Sequence, residues 1–365
     1  MSLLINPIII GLLCLLLFAF LLSVFLIPVI KILALSKGIV AIPINRSSHS
    51  KITPVLGGLA IYLSSLISIF ITSIIFDFKI ELFTTFYIGV ATLIMISLGM
   101  IDDMFYVKPY LKLLIQSIAA SIIIESLGPD LMVYITDGLK NGLGVLSYVF
   151  ELSYLLAILI IIVFINMINM IDGIDGLAAS LFLISCVFFS VTSFLSGNLF
   201  SSLLSFSGIG SLIPFLYHNL LSKDKIFLGD NGSLLIGCIL AYLSLDFVSN
   251  NSINLLHLNN NKFLLLLSLY LYPLTDFLRI ITVRIFRLRN PLKADKNHIH
   301  HNLISSGLSH ISSTIVISIF TILITFITST LINQKIYIPL LFLSSMSLIV
   351  AFLPKYLPKI RKFRF

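Results

Sequence analysis

The chain alternates long apolar runs with short polar stretches. Runs long enough to cross a bilayer, about 20 residues each, fall at 8–35, 56–76, 83–101, 111–127, 152–168, 177–196, 199–217, 232–249, 263–283, 312–332 and 337–353. They predict about eleven transmembrane helices, because a spanning segment must satisfy its own backbone hydrogen bonds. The first run can tilt or kink, with Pro28 marking the place, and it continues through Leu35 without a small-residue cleavage site. It therefore reads as an anchor and not as a removed signal peptide. No internal repeat or low-complexity linker interrupts the series, so the expected fold is all-α: a polytopic helical bundle forming one integral-membrane domain over residues 1–365.

Composition agrees, with 58% of residues hydrophobic and only 10% charged. The basic residues give an orientation. Alternate loops on one side hold seventeen Lys and Arg, including Lys37, Lys108, Lys223, Arg287 and Lys359, whereas the other side holds four, Lys79, Lys140, Lys262 and Lys335. By the positive-inside rule the basic side is cytoplasmic, with the C-terminus inside and the N-terminus outside. The net charge of +8 then reflects topology and attraction to the anionic bilayer surface, and does not point to nucleic acid. Cys14, Cys186 and Cys238 lie inside spans without metal-ligand spacing and read as packing residues.

What needs explaining is the polar residues at the apolar boundary, where ionisable groups are costly and commonly functional. The positive-inside rule asks for cations, yet eight acids also fall on that side: Asp102, Asp103, Asp172, Asp175, Asp224, Asp230, Asp276 and Asp295. "GMIDDMFYVKPYLK" ends a span in Asp102 and Asp103 and reaches Lys112 at the head of the next. Adjacent carboxylates raise each other's pKa unless a cation relieves them, although a solvated acidic turn has the same sequence. "IFLGDNGSLLIG" flanks Asp230 with glycines directly before a span, which suits close backbone approach to an anion or a plain helix cap. In "NMINMIDGIDGLAAS", Asn166, Asn169, Asp172 and Asp175 recur at steps of three. A helix would place them on one slowly drifting face, and Gly173 and Gly176 suggest a turn. Interhelical hydrogen bonding is the structural alternative. "ADKNHIHHNLI" crowds His298, His300 and His301 beside an Arg/Lys-rich run; without a nearby Cys this fits a phosphate-bearing ligand better than zinc. Gathered on one face, carboxylate and amide oxygens suit Mg²⁺ together with substrate phosphates, and cations suit a phosphoryl group in transfer.

These motifs, with "HSKITPVLGG" (residues 49–58) before them, resemble in content and order the polyprenyl-phosphate N-acetylhexosamine-1-phosphate transferase superfamily, of glycosyltransferase family 4 type. The similarity covers roughly residues 30–305. It implies attack of a polyprenyl phosphate on the β-phosphate of a UDP-N-acetylamino sugar, releasing UMP, with Mg²⁺ required (or Mn²⁺ in its place). It also implies a multi-pass protein of the bacterial inner (cytoplasmic) membrane with its active site on the cytoplasmic face, and is compatible with a homodimer. By the same resemblance Asp230 is the principal metal ligand, with Asn169 able to share the metal. Asp102, Asp103, Lys112 and Asp230 are catalytic. His49, Lys51, Asn166, Asp172, Asp175, Arg279, Lys293, His298, His300 and His301 bind substrate.

"PLKADKNHIHHNL" looks like the N-acetylglucosamine-1-phosphate branch, since Ile299 interrupts the triple histidine of the phospho-MurNAc-pentapeptide transferase. "RLRNPL" departs from the branch's usual small-residue tip and leaves the sugar open. An ion-coupled secondary transporter, which is of a different class, is disfavoured by the lack of repeats. A catalytically inactive scaffold is disfavoured because every acidic motif position is filled.

Overall fold

The computed structural model describes residues 7–42, 52–143, 150–250, 261–288 and 297–356. In these the chain forms α1 (Pro7–Ser36), α2 (Gly57–Ile75), α3 (Leu82–Phe105), α4 (Pro109–Leu143), α5 (Phe150–Ile171), α6 (Leu177–Ser196), α7 (Leu199–Leu216), α8 (Gly229–Ser249), α9 (Lys262–Leu269), α10 (Leu271–Phe286), α11 (Ile299–Ser305), α12 (His310–Leu331) and α13 (Tyr337–Tyr356). Ten of these segments are long and apolar enough to span a membrane alone, and α9 with α10 makes an eleventh that is bent by 70°. The protein is a multi-pass, all-α membrane bundle.

Two helices depart from the straight spans expected. The ninth run breaks at Tyr270, whose φ of −104° and ψ of 14° leave the helical region. Pro273 supplies the cause, because proline offers no N–H and its ring collides with the carbonyl four residues back, that of Leu269. In α4 the break falls at Gly128, with φ 66° and ψ −161°, directly before Pro129. The run at 111–127 thus ends where the sequence places its end, and helix resumes beyond it.

α8 is buried nearly end to end, whereas α1 and α13 present most of their surface outward. α2, α3, α4, α5 and α6 pack along α8, α3 and α5 most closely. Lipid tails are as apolar as leucine, so close approach of small residues and interhelical hydrogen bonds hold such bundles together. α1 and α7 illustrate this: Ser23 Oγ donates to the carbonyl of Ser211 at 2.8 Å, and a Cβ on Gly210 would lie 2.3 Å from the carbonyl oxygen of Leu16.

A two-residue antiparallel ribbon, β1 (Val40–Ala41) with β2 (Thr53–Pro54), lies at one end of the bundle. The chain after β2 pairs with the segment leading into α8. Phe227 N donates to Pro54 O (2.8 Å), Gly57 N to Phe227 O (2.9 Å) and Gly58 N to Leu228 O (3.0 Å). This pairing fixes where α8 begins, and the polar cluster is built on that point.

Candidate active site

α8 starts at Gly229, whose φ of +75° is the left-handed region open to glycine. A Cβ there would also lie 2.1 Å from Val55 O. The exposed N–H groups of this helix start are met by Asp103 from the end of α3. Asp103 Oδ1 accepts the backbone N–H of Asp230 at 3.0 Å, and Oδ2 accepts that of Asn231 at 3.1 Å. Oδ2 also takes the side-chain amide of Asn231 at 2.7 Å. Asn231, fully buried, reaches Val55 O with the same amide nitrogen (2.6 Å) and accepts Leu59 N at its oxygen (3.0 Å). Asp103 is therefore a helix cap supplied from a neighbouring helix.

That cap aims Asp230 into the group assembled opposite. Asn169, in the last turn of α5, donates to Asp230 Oδ1 at 2.8 Å and to Ser233 Oγ at 2.8 Å. Lys112, at the start of α4, stands 3.4 Å from Asp230 Oδ2 and forms an ion pair with Asp102. Asp102 Oδ1 accepts the N–H of Val107 at 2.6 Å, which closes the α3–α4 turn, and Lys112 links its carboxylate to that of Asp230. Asp230 keeps 34% of its side chain exposed, so one side remains open to a ligand.

The donor set fits a hard divalent cation. Such an ion takes one or two carboxylates and lets water and phosphate oxygens complete its shell. Asp230 and Asn169 supply a carboxylate and an amide side by side, and the crowding of Asp102 against Asp230 is the kind of repulsion a cation relieves.

α5 ends at Ile171 and α6 begins at Leu177, so Asp172 and Asp175 lie in the intervening turn, closed by Gly176 at φ 74°. This is the turn that the two glycines suggest. A cavity of about 290 Å³ is lined by Asp103, Asp172, Asp175, Asn219, Gly229 and Asp230 among others. Burial, then the charges of Asp230, Asp103 and Asp175, hold the Asp172 carboxyl well above the usual carboxylate range. Asp175 pairs instead with Lys225, and its carboxylate lies 3.5 Å from His310 Nδ1. Asn219 sits in a π-helical turn, Tyr217–Leu221, that continues α7. Its amide nitrogen is tied to Ile226 O at 2.8 Å, and its buried oxygen has no hydrogen-bond partner among the described residues, leaving an acceptor for a ligand.

The histidine segment reaches the same loop. On α10, Tyr272, Asp276 and Arg279 recur along one helical face. Asp276, fully buried, accepts from His298 Nδ1 (2.9 Å), Ile299 N (3.1 Å) and Arg279 (2.9 Å). Arg279 also donates to Asn297 O, and Tyr272 Oη lies 3.3 Å from His300 Nδ1. At the other end of the imidazole, a Cβ added to Gly173 would sit 2.5 Å from His300 Nε2 and 3.1 Å from His301 Nε2. Burial, then the neighbouring His301, holds the His300 pKa well below the usual histidine value, so the ring packed on the Asp172–Asp175 loop is neutral near pH 7.

Thus Asp102, Asp103, Lys112, Asn169, Asp172, Asp175 and Asp230 converge, with Arg279, His298, His300 and His301 alongside. Asn166 turns away: it forms a reciprocal amide pair with Gln116 (2.7 and 3.5 Å) and donates to Ile162 O at 2.8 Å, which ties α4 to α5 one turn before Asn169. This is the interhelical bonding that asparagine provides in membranes. His49, Lys51 and Lys293 lie outside the described residues. Asn231, Asn219, Lys225, Tyr272, Asp276 and His310 join the site without being expected there from the sequence. For Asn231 a signal was present, since it follows Asp230 between two glycines.

Comparison with known proteins gives the chain a family. The Glycosyl transferase family 4 description matches residues 85–248, from α3 through α8. A probable undecaprenyl-phosphate N-acetylglucosaminyl 1-phosphate transferase of Bacillus subtilis is 31% identical over 80% of this chain and 76% of its own length. A decaprenyl-phosphate N-acetylglucosaminephosphotransferase of Mycolicibacterium smegmatis is 28% identical over 81% and 76%. An undecaprenyl-phosphate alpha-N-acetylglucosaminyl 1-phosphate transferase of Haemophilus influenzae is 30% identical over 74% and 73%. With the motif residues gathered at one end of a spanning bundle and relatives of this length and likeness, the chain belongs to glycosyl transferase family 4, in the branch of the polyprenyl-phosphate N-acetylglucosaminyl-1-phosphate transferases.

Proposed function

We propose that the protein transfers N-acetylglucosamine 1-phosphate from UDP-N-acetylglucosamine to a polyprenyl phosphate, releasing UMP. The observation that carries this reading is the convergence of Asp230, Asn169, Lys112 and Asp102 at the start of α8. An oxygen of the lipid phosphate attacks the β-phosphorus of the donor, and the bond from that phosphorus to the bridging oxygen breaks. The electron pair leaves on UMP. A phosphate monoester is already largely dianionic near neutrality, so the attack needs no protein base, which is consistent with an Asp103 carboxylate fully engaged as a cap.

Lys112 offers a cation to the phosphoryl oxygens, held in place by its pair with Asp102. Asp230 and Asn169 would hold Mg²⁺, which supplies charge neutralisation to the clustered phosphates. Asp172 and Asp175, with Arg279, His298, His300 and His301, border the space for the donor. The end of the bundle that carries this site also carries Lys31, Lys223 and Lys225. We take it as the cytoplasmic face of a bacterial inner membrane, where a soluble nucleotide sugar meets a lipid phosphate at the interface.

The test is UMP release by the purified protein supplied with polyprenyl phosphate, Mg²⁺ and a panel of UDP-sugars. UDP-N-acetylglucosamine should be preferred, and Asp230→Ala should abolish turnover while the protein remains inserted. Preference for UDP-MurNAc-pentapeptide would overturn the donor assignment, and full activity in EDTA would overturn the metal assignment.

A further inference from the structure

We infer that His310, with Thr314 one turn later on α12, positions Asp175 and thereby sets the affinity of the site for its uridine-nucleotide donor; this rests on the function proposed above. Both residues lie beyond residues 85–248, the region matched by the family description. α12 nevertheless reaches the loop at the centre of the site.

Three polar groups of Asp175 are held from outside its own turn. Its backbone N–H donates to His310 Nδ1 at 3.3 Å. Its carbonyl accepts from Thr314 Oγ1 at 2.9 Å. Its carboxylate pairs with Lys225 and lies 3.5 Å from the same His310 nitrogen. Residues 310 and 314 are neighbours on one helix face, and the start of α12 is fixed by Ser309, whose hydroxyl accepts the N–H of Ser312 at 3.1 Å. A residue in a turn between two helices lacks the helical hydrogen-bond ladder, so these external partners determine where it stands.

Where Asp175 stands matters because it borders two spaces. It lines the 290 Å³ cavity that contains Asp230. It also lines a larger one of about 1080 Å³, together with His310, Lys31, Lys223 and Lys225. A donor that places its phosphates at Asp230 must pass or occupy this boundary. His310 accepts the Asp175 N–H only through an unprotonated Nδ1. Its role is thus a specific acceptor at one ring position, and simple bulk would not replace it.

That specificity makes the inference testable. Asparagine places its oxygen close to where histidine places Nδ1, whereas the glutamine oxygen reaches toward the Nε2 position. With purified full-length protein, His310→Ala, His310→Gln and Thr314→Val should each raise the KM for UDP-N-acetylglucosamine about 3- to 10-fold, the scale of one lost hydrogen bond. The KM for polyprenyl phosphate and kcat should stay within twofold. His310→Asn and Thr314→Ser should restore the donor KM. UDP binding, followed by the thermal shift it produces, should weaken in the same order. A residue that served only folding would lower the yield of folded protein and kcat with donor KM unchanged, and that result overturns the inference. So does active wild-type protein whose UDP binding is matched by His310→Ala. Wild-type protein that binds no uridine nucleotide instead overturns the reading on which the inference rests, and the inference with it.

Discussion

Asp103 accepts the backbone N–H of Asp230 at 3.0 Å while its second oxygen binds Asn231 twice. One acid thus places the other, and the two should fail differently. In Asp103→Asn an amide NH₂ would face donors where an acceptor is needed, which leaves buried polar groups unpaired at a cost of about 1–3 kcal/mol. We expect this variant to lose both thermal stability and at least about 100-fold in turnover, since small displacements of a site are costly. Asp230→Asn should abolish turnover with a melting temperature at or above that of wild type, because it removes a charge crowded by Asp102. Thermal unfolding in detergent beside UMP release checks the pair. An Asp103→Asn protein as stable as wild type would refute the capping role.

Gly58 and Gly99 let α2 and α3 lie directly on the start of α8. A Cβ on Gly58 would stand 2.1 Å from the Cα of Gly232, and one on Gly99 2.3 Å from the Cα of Asn231. Both obstacles are backbone, so neither can yield without moving the segment that carries Asp230. Gly58→Ala and Gly99→Ala should each destabilise by about 1–3 kcal/mol, the usual cost of overpacking, and lower turnover further than stability alone explains. Gly89→Ala in α3, where the added methyl meets nothing within 4 Å among the described residues, is the control. It should be neutral or slightly stabilising, and equal loss in all three variants would show that helix packing here is not decided by these contacts.

The spans were legible because a bilayer imposes a length on each apolar run, and the structure places helices on all eleven. The bend at Tyr270 was less legible. Pro273 announces a weak point, but whether a proline kinks or breaks a span depends on what packs around it. The acids were recognisable as a group from their position at the apolar boundary, whereas their division of labour was not. Asp103 and Asp230 lie 127 residues apart, and Asp175 and His310 lie 135 apart. No local spacing encodes which partner each acid takes. Asn166 shows the converse, where a pattern of steps of three grouped it with Asn169 although its amide belongs to Gln116.

Asn169 touches Asp230 through its amide nitrogen, and the same side chain can turn its oxygen to a cation. Asn169→Ala removes both the candidate ligand and the brace. The Mg²⁺ concentration giving half-maximal turnover should rise about 10-fold or more, the usual effect of losing a group that orients a metal ligand, with saturating Mg²⁺ recovering part of the rate. A Mg²⁺ titration of wild type and variant tests this, and superimposable titrations would remove Asn169 from the metal site.

Asp172 gives a pH dependence with a definite sign. Its carboxyl is raised by burial and by three neighbouring acids, so the folded protein binds its proton more tightly than the unfolded chain does. An acid shifted this way costs stability as pH rises above its unfolded value, about 3.9, and the cost grows until the folded pKa is passed. Asp172→Asn removes that cost. The melting temperature of the variant should exceed that of wild type by a margin that is larger at pH 8 than at pH 5. A constant margin would mean that the Asp172 charge is not what separates the two proteins.

Asp276 is the buried centre of the histidine segment, and its substitution asks whether that segment is held or merely nearby. Its carboxylate joins α10 to α11 through His298 and Ile299 N and also holds Arg279. Asp276→Ala would strand a guanidinium and a buried imidazole, a loss of about 3–5 kcal/mol for a broken buried pair. Asp276→Asn keeps one acceptor and the shape, but an amide cannot satisfy three donors and brings two of its own. We therefore expect a graded series, with Asn losing part of the stability and Ala most of it. Because His300 and His301 abut Gly173, the loss should reach the donor side of the reaction, raising the KM for UDP-N-acetylglucosamine in the Asn variant before turnover collapses in the Ala variant. An Asn variant with wild-type donor KM but reduced stability would separate the two, leaving Asp276 as a strut and the histidines outside donor binding.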